Sequence, residues 1–168
     1  MKTAQDLIQQ LKLERHPEGG FYKEIYRSPE MLNVAGLPNR YRGDRCFGTS
    51  IYFLLRSQDI SRFHRLQSDE IWHFYAGSSV TIHLLDTEHD YLTKSLGRDI
   101  ESGEQLQICV PKQTWFGATV ETENSYALVG CTMAPGFDFE DFELAERKTL
   151  LSQFPKQRII IERLTLPE

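Results

Sequence analysis

The residues best able to do chemistry lie between Ser61 and Gly77, in the run S-R-F-H-R-L-Q-S-D-E-I-W-H-F-Y-A-G. It carries His64 and His73, two of the five histidines, together with Glu70 and Trp72, set among apolar residues. Two kinds of chemistry suit such a set. An imidazole beside a carboxylate makes an acid–base pair, because the negative charge raises the histidine pKa toward the operating pH. Alternatively, His64, Glu70 and His73 could ligate a metal, which needs three or four donors converging on one point. Strand parity favours the first reading, since side chains two apart share a face of a strand. Arg62, His64 and Leu66 point one way. Glu70, Trp72 and Phe74 form one row, and Ile71, His73 and Tyr75 the opposite one. His64 and Glu70 are expected to meet across a hairpin turned at Ser68-Asp69, with His73 outside.

Around this pair stand aromatic residues that could wall a ligand: Trp72, Phe74, Trp115 and Phe116. Aromatics in β-rich chains more often fill the core. The other ionisable groups read more blandly. His16 precedes Pro17 at the end of a helix, where a cation favours the helix dipole, although His16 or Glu18 could border a pocket. His83 reads as structural and His89 as a solvated turn residue. Arg40, Arg42 and Arg45 share a long loop with Tyr41 and could clamp phosphate, but a solvated loop is the simpler account. Phe137, Phe139 and Phe142 alternate with acids and read as a packed crossover.

The elements that must hold these residues are mostly strands. Thr3 to Asp6 resembles a helix-start box, with Leu7, Ile8 and Leu11 on one face. Phe21–Tyr26 reads as a strand and Ser28–Asp44 as a long loop. Eight short strand candidates follow, Phe47–Leu55, Ser61–Leu66, Ile71–Tyr75, Val80–Leu85, Tyr91–Leu96, Leu106–Val110, Thr114–Val120 and Tyr126–Met133, separated by turn residues. Closely spaced short strands indicate a sandwich or barrel. Asp141–Phe154 reads as a helix, and Arg158–Leu164, being β-branched, as a last edge strand or a strand exchanged with a partner chain.

With 168 residues, the chain fits one domain spanning 1–168. Its 19 Lys+Arg against 24 Asp+Glu argue against general nucleic-acid binding. Three widely spaced cysteines with no C-x-x-C pair suggest neither zinc nor a disulfide framework; Cys109 and Cys131 read as buried thiols. No apolar run reaches the ~20 residues of a membrane span, and the N-terminus lacks a signal core. A cytoplasmic protein without a membrane partner is expected.

The spacing resembles the first motif of the cupin superfamily, His-x-His, a few residues, Glu, six residues, Gly. His64, Glu70 and Gly77 match it, and Leu66 stands at the second histidine position. The second cupin motif, Pro-x-Gly-x-x-His, aligns with Pro111 to Phe116, placing Gln113 at its glycine and Phe116 at its histidine. The segments H-P-E-G-G-F-Y-K-E, S-D-E-I-W-H-F-Y-A-G and A-P-G-F-D-F-E-D-F-E-L resemble the uncharacterised cupin domain-of-unknown-function family 985. This resemblance implies an all-β double-stranded β-helix, or jelly roll, with an N-terminal and a short C-terminal helix, like that of the dTDP-sugar epimerases and similarly dimeric. Those epimerases work without metal, using a histidine base that carries over to His64. The expectation is a metal-independent isomerase or epimerase with no cofactor, acting on a sugar or sugar-nucleotide-like ligand. His64 is the base, Glu70 orients it, and Trp72, Trp115, Phe74, Phe116 and Arg62 contact the ligand. A non-catalytic binding protein and a metal-dependent cupin enzyme are the alternatives.

Overall fold

The computed structural model describes residues 3–86 and 90–167. Helix α1 (Ala4–Leu11) begins at Thr3, whose hydroxyl accepts the Asp6 N–H while the Asp6 carboxylate accepts the Thr3 N–H. Strands β1 (Glu14–Arg15) and β2 (Phe21–Arg27) follow, then β3 (Met31–Leu32) and β4 (Arg45–Cys46), which pair with each other. The main body comprises β5 (Thr49–Arg56), β6 (Ile60–Arg65), β7 (Glu70–Gly77), β8 (Val80–Asp86), β9 (Asp90–Leu96), β10 (Gln107–Val110), β11 (Trp115–Thr119) and β12 (Tyr126–Met133). It ends with β13 (Glu143–Leu144), α2 (Arg147–Gln153) and α3 (Arg158–Arg163). His89 lies outside the described residues.

Two antiparallel sheets face each other, one ordered β1-β2-β5-β12-β7-β10 and the other β13-β6-β11-β8-β9. Their inner faces meet in a core that includes Phe53, Leu55, Trp72, Ile82, Phe116 and Val129. This is a jelly-roll sandwich. α1 packs on the outer face of the larger sheet through Ile8, Leu13, Leu54 and Leu128. α2 and α3 cover the smaller one through Phe63, Trp115, Leu150, Phe154, Ile161 and Leu164. Among the described residues no helix is long and apolar enough to cross a membrane.

Several expectations need correcting. β6 and β7 are not a hairpin; they belong to opposite sheets, so His64 and Glu70 face each other across the sandwich. β6 also carries a bulge. Phe116 pairs with His64 and Ala118 with Ser61, so two steps on β11 match three on β6. Ser61 and His64 therefore both turn inward, and Arg62 loses the face it was expected to share with His64. The freed N–H groups find other acceptors: Arg62 N–H donates to the Glu18 carbonyl at 3.0 Å and Phe63 N–H to the Leu164 carbonyl at 2.8 Å. Gly117 is required opposite, where a Cβ would lie 2.7 Å from the Ser61 carbonyl oxygen.

Cys109 is exposed, because it faces outward on β10 opposite Ile71, whereas Cys46 and Cys131 are buried. Within Ser28–Asp44, β3 and a buried Tyr41 give the loop a fixed course; the Tyr41 hydroxyl lies 2.7 Å from Ser68 Oγ. Arg45 is buried rather than solvated, its guanidinium donating at 2.7 Å to each oxygen of Asp141. That pairing holds Asp141 in a short turn, so the helix expected from Asp141 starts only at Arg147, and Glu143–Leu144 pairs with the edge of β6 instead. Arg158–Leu164 is helical rather than a strand. Its β-branched run misleads because Ile161 and Leu164, three apart, are fully buried while Ile159 is 87% exposed.

This assignment predicts unequal costs for two neighbouring isoleucines. Ile161→Ala should lower the unfolding free energy by ~2–5 kcal/mol in denaturant titrations, and Ile159→Ala by no more than about 0.5 kcal/mol. Equal losses would contradict the helix.

Candidate functional site

The inner face of the larger sheet supplies alternate residues to one cavity of about 250 Å³: Tyr22 and Glu24 from β2, Ile51 and Phe53 from β5, Glu70 and Trp72 from β7, Cys131 and Met133 from β12. His64 enters from the smaller sheet, with Leu66 just beyond β6. Two irregular segments close the space: His16 to Glu18 on one side, and Phe137, Phe139 and Phe142 on the other.

Glu18 is held by its turn. Gly19 adopts φ +122°, and a Cβ there would lie 1.9 Å from the Ile60 carbonyl oxygen, so only glycine lets this turn press against β6. Arg62, outside the cavity, donates through both its backbone N–H and its guanidinium to the Glu18 carbonyl, each at 3.0 Å. The Glu18 carboxyl then meets Ser61 Oγ at 2.7 Å and His64 Nε2 at 3.2 Å. On the other ring nitrogen, His64 Nδ1 lies 2.7 Å from the Arg62 carbonyl oxygen. Since a carbonyl only accepts, Nδ1 carries a proton and Nε2 is the atom that gains or loses one. Glu70 is oriented by Trp72, whose indole N–H donates to Oε2 at 2.7 Å.

Burial governs the charge state. It lowers the His64 pKa, outweighing the Arg62 carbonyl and the Glu70 charge. The direction is opposite to that expected from a histidine–carboxylate pair in water. Burial likewise lowers His16 and raises Glu18. Glu70 is pushed up to about 7 by burial and then by the Glu18 charge, against weaker help from His64, Trp72 and Cys131. Burial thus works against the charged form of both partners in the His64–Glu18 contact, lowering the imidazole and raising the carboxyl. Cys131 is raised well above the usual thiol range by burial, and so is no nucleophile.

Of the residues expected to act on or contact the ligand, His64, Glu70 and Trp72 line this cavity, whereas Trp115, Phe116, Phe74 and Arg62 do not; His16 and Glu18 border it, as the sequence allowed. Trp115 lies under α2 and α3, with the Arg65 guanidinium 4.4 Å from its ring centroid. Phe116 supports His64 from behind, ring centroids 4.1 Å apart. Phe74 lines an open groove farther along β7, just before a second register shift between Leu128 and Val129. Arg62 acts on Glu18 from outside. His73 sits on the outer face, Nε2 2.9 Å from Thr132 Oγ1, so His64, Glu70 and His73 do not converge. His83 bonds Tyr91 and Thr119 away from the cavity. Arg40 donates to the Gln67 carbonyl.

Sequence reasoning put helix capping first for His16, with a pocket-bordering role only as the alternative, and missed the phenylalanine wall. His16 is no helix cap, because α1 ends at Leu11 and is capped by Lys12; its ring packs edge-on against Tyr22 at 4.7 Å. Phe137, Phe139 and Phe142 are wall rather than crossover, Phe142 lying 5.3 Å from the His64 ring. An acid between Pro17 and a Gly-Gly pair, and the alternation of Tyr22 with Glu24, were the available signals.

A family model described as cupin superfamily (DUF985) matches residues 5–145. The chain belongs to the DUF985 family of cupins. This cupin is 31% identical over 149 residues to an uncharacterised protein of Saccharomyces cerevisiae, covering 83% of this chain and 73% of the yeast protein. Among solved structures, a protein from Shewanella oneidensis is 41% identical with a TM-score of 0.90, covering 100% of both chains. A hypothetical protein from Leishmania major is 34% identical with a TM-score of 0.88, covering 99% of this chain and 100% of its own. Oxalate decarboxylase from Bacillus subtilis shares the fold at 15% identity and a TM-score of 0.54, over 92% of this chain and 40% of the decarboxylase.

A carboxyl whose folded pKa exceeds its usual 4.5 binds more protons folded than unfolded between those values, so its contribution to stability falls as pH rises from about 4.5 to 7. Glu70→Gln, which keeps an acceptor for Trp72, should thus raise Tm by several degrees at pH 8.5 and leave it unchanged at pH 4.5, each ~1 kcal/mol being worth roughly 2–4 °C. A scan showing the same Tm difference at both pH values would refute the buried, raised carboxyl.

Proposed function

We propose that this cupin is a metal-independent isomerase or epimerase acting on a sugar-sized carbonyl compound, with His64 as base and Glu70 as acid. The observation that carries this reading is the pair of opposed pKa shifts in one cavity. A neutral imidazole and a carboxyl near 7 can both exchange protons at neutral pH, which is the combination general acid–base catalysis needs. The cavity of about 250 Å³ is below the roughly 300–1,000 Å³ typical of drug-sized ligands, so it suits a monosaccharide-sized group rather than a whole sugar nucleotide.

In the first half-reaction the substrate C–H takes the place of Glu18 beside His64 Nε2. Nε2 accepts that proton, the C–H electron pair becomes the C–C double bond, and the carbonyl oxygen takes the proton of the Glu70 carboxyl. The resulting enediol collapses by the same transfers in reverse at the neighbouring carbon, restoring neutral His64 and protonated Glu70. The Nδ1–H bond to Arg62 fixes the ring tautomer throughout, and Trp72 orients Glu70.

The donor set supports doing this without a metal. One related-fold structure, an oxalate decarboxylase, is described as containing Mn(II) centres. Here Leu66 lines the cavity, Phe116 packs behind His64, and Glu70 is held by Trp72. Among the described residues no group of three or more His, Cys, Asp or Glu is arranged to hold a metal. These residues do not fit a first-row metal, which prefers three or four converging donors.

The reaction is tested by deuterium incorporation from D₂O into aldoses and ketoses, followed by NMR. His64→Ala and Glu70→Gln should each lower the exchange rate about 10²–10⁴-fold with the fold retained. Ligand binding without exchange in the wild type would instead identify a binding protein.

A further inference from the structure

The charges around the cavity are unevenly placed. Its interior holds two carboxyl groups, Glu18 and Glu70, and two histidines that burial keeps neutral. Arg27 is the one arginine in its lining, and its charge is already engaged. Its Nη2 donates to Glu24 at 2.7 Å, its Nε to the same carboxylate at 3.1 Å, and its Nη1 to the Phe137 carbonyl at 3.1 Å. Arg45 is neutralised by Asp141, and Arg62 lies behind Glu18 on its backbone side. No free cation therefore faces the ligand space among the described residues. The rest of the wall is aromatic: Tyr22, Phe53, Trp72, Phe137, Phe139 and Phe142. Aromatic faces are negative and attract cations, most strongly when water is excluded. An anion placed here would meet two carboxyls and ring faces with nothing to compensate it.

We infer that the cavity selects a small ligand carrying a protonated amine, such as an amino sugar, and rejects carboxylates and phosphates. This rests on reading the cavity as the substrate site but not on any proton transfer by His64. An ammonium group beside Glu70 supplies the cationic partner that the cavity lining lacks and is flanked by the aromatic wall. A dicarboxylate such as oxalate lacks any such partner, so the shared fold does not carry over that substrate. Uptake is pH-dependent. The groups facing Glu70 and Glu18 are His16, His64, the Cys131 thiol and, at the mouth, the Glu24–Arg27 pair. Glu70 itself gives up its proton near 7, so ammonium affinity rises between pH 6 and 8.

The test uses charge-varied probes of matched shape at two sizes: ethanolamine, ethylene glycol and glycolate; glucosamine, glucose and glucuronate. Binding is read from the Trp72 indole N–H resonance, which reports on the bonded Glu70 oxygen. In at least one series at pH 8 the amine should bind about tenfold or more tighter than its neutral counterpart, with the acid weakest. Glu70→Gln should reduce that preference below about threefold without weakening the neutral probe. A preference unchanged by Glu70→Gln, tighter binding of a neutral or acidic probe, or no binding in either series overturns the inference. The same samples in D₂O separate the two readings. An amine that binds without exchange sinks the isomerase and leaves the selectivity standing. An acid that binds and exchanges does the reverse.

Discussion

Two carboxyl groups are buried inside an apolar sandwich without a permanent cation beside them, and much of the local structure is arranged to make that tolerable. Burying an ionised carboxylate costs far more than burying a neutral one, so the groups shift their pKa and find hydrogen bonds instead. Glu18 is met by Ser61 and His64, and Glu70 by the Trp72 indole. The bulge in β6 makes the first set possible. It brings Ser61 and His64 onto one face and releases the Arg62 N–H to fix the Glu18 carbonyl. A regular strand would have put Arg62 there instead.

Rigidity at the far wall has a separate origin. The buried Arg45–Asp141 pair ties β4 to the turn that presents Phe139 and Phe142. Breaking such a pair by removing one partner typically costs ~3–5 kcal/mol, because the other charge is left stranded. The aromatic wall is thus anchored by an electrostatic contact outside the cavity rather than by the wall residues alone.

The strands were legible in the sequence because alternation and turn residues are local signals, and so was the placement of His64, Glu70 and Trp72 around one cavity. The C-terminal tail was not: I-I-I between Arg158 and Glu162 favours a strand by propensity, while burial at three-residue spacing against Phe63 and Trp115 makes it a helix. The partner of His64 was not legible either. Glu18 reaches it only because a Pro-x-Gly-Gly turn docks on a bulge more than forty residues away, a long-range fact that no local pattern contains. Parity also failed at Arg62, since one extra residue in a strand turns every side chain before it.

The central claim is that burial, not ion pairing, sets the protonation of this cluster. Carbon-13 NMR titration of glutamate side-chain carboxyls tests it most directly. One resonance should titrate near pH 7 and disappear in Glu70→Gln, while the His64 ring stays in the Nδ1–H neutral form at pH 7. If every glutamate carboxyl titrates below pH 5, or His64 is an imidazolium at neutral pH, the cluster is an ordinary ion pair and the account fails.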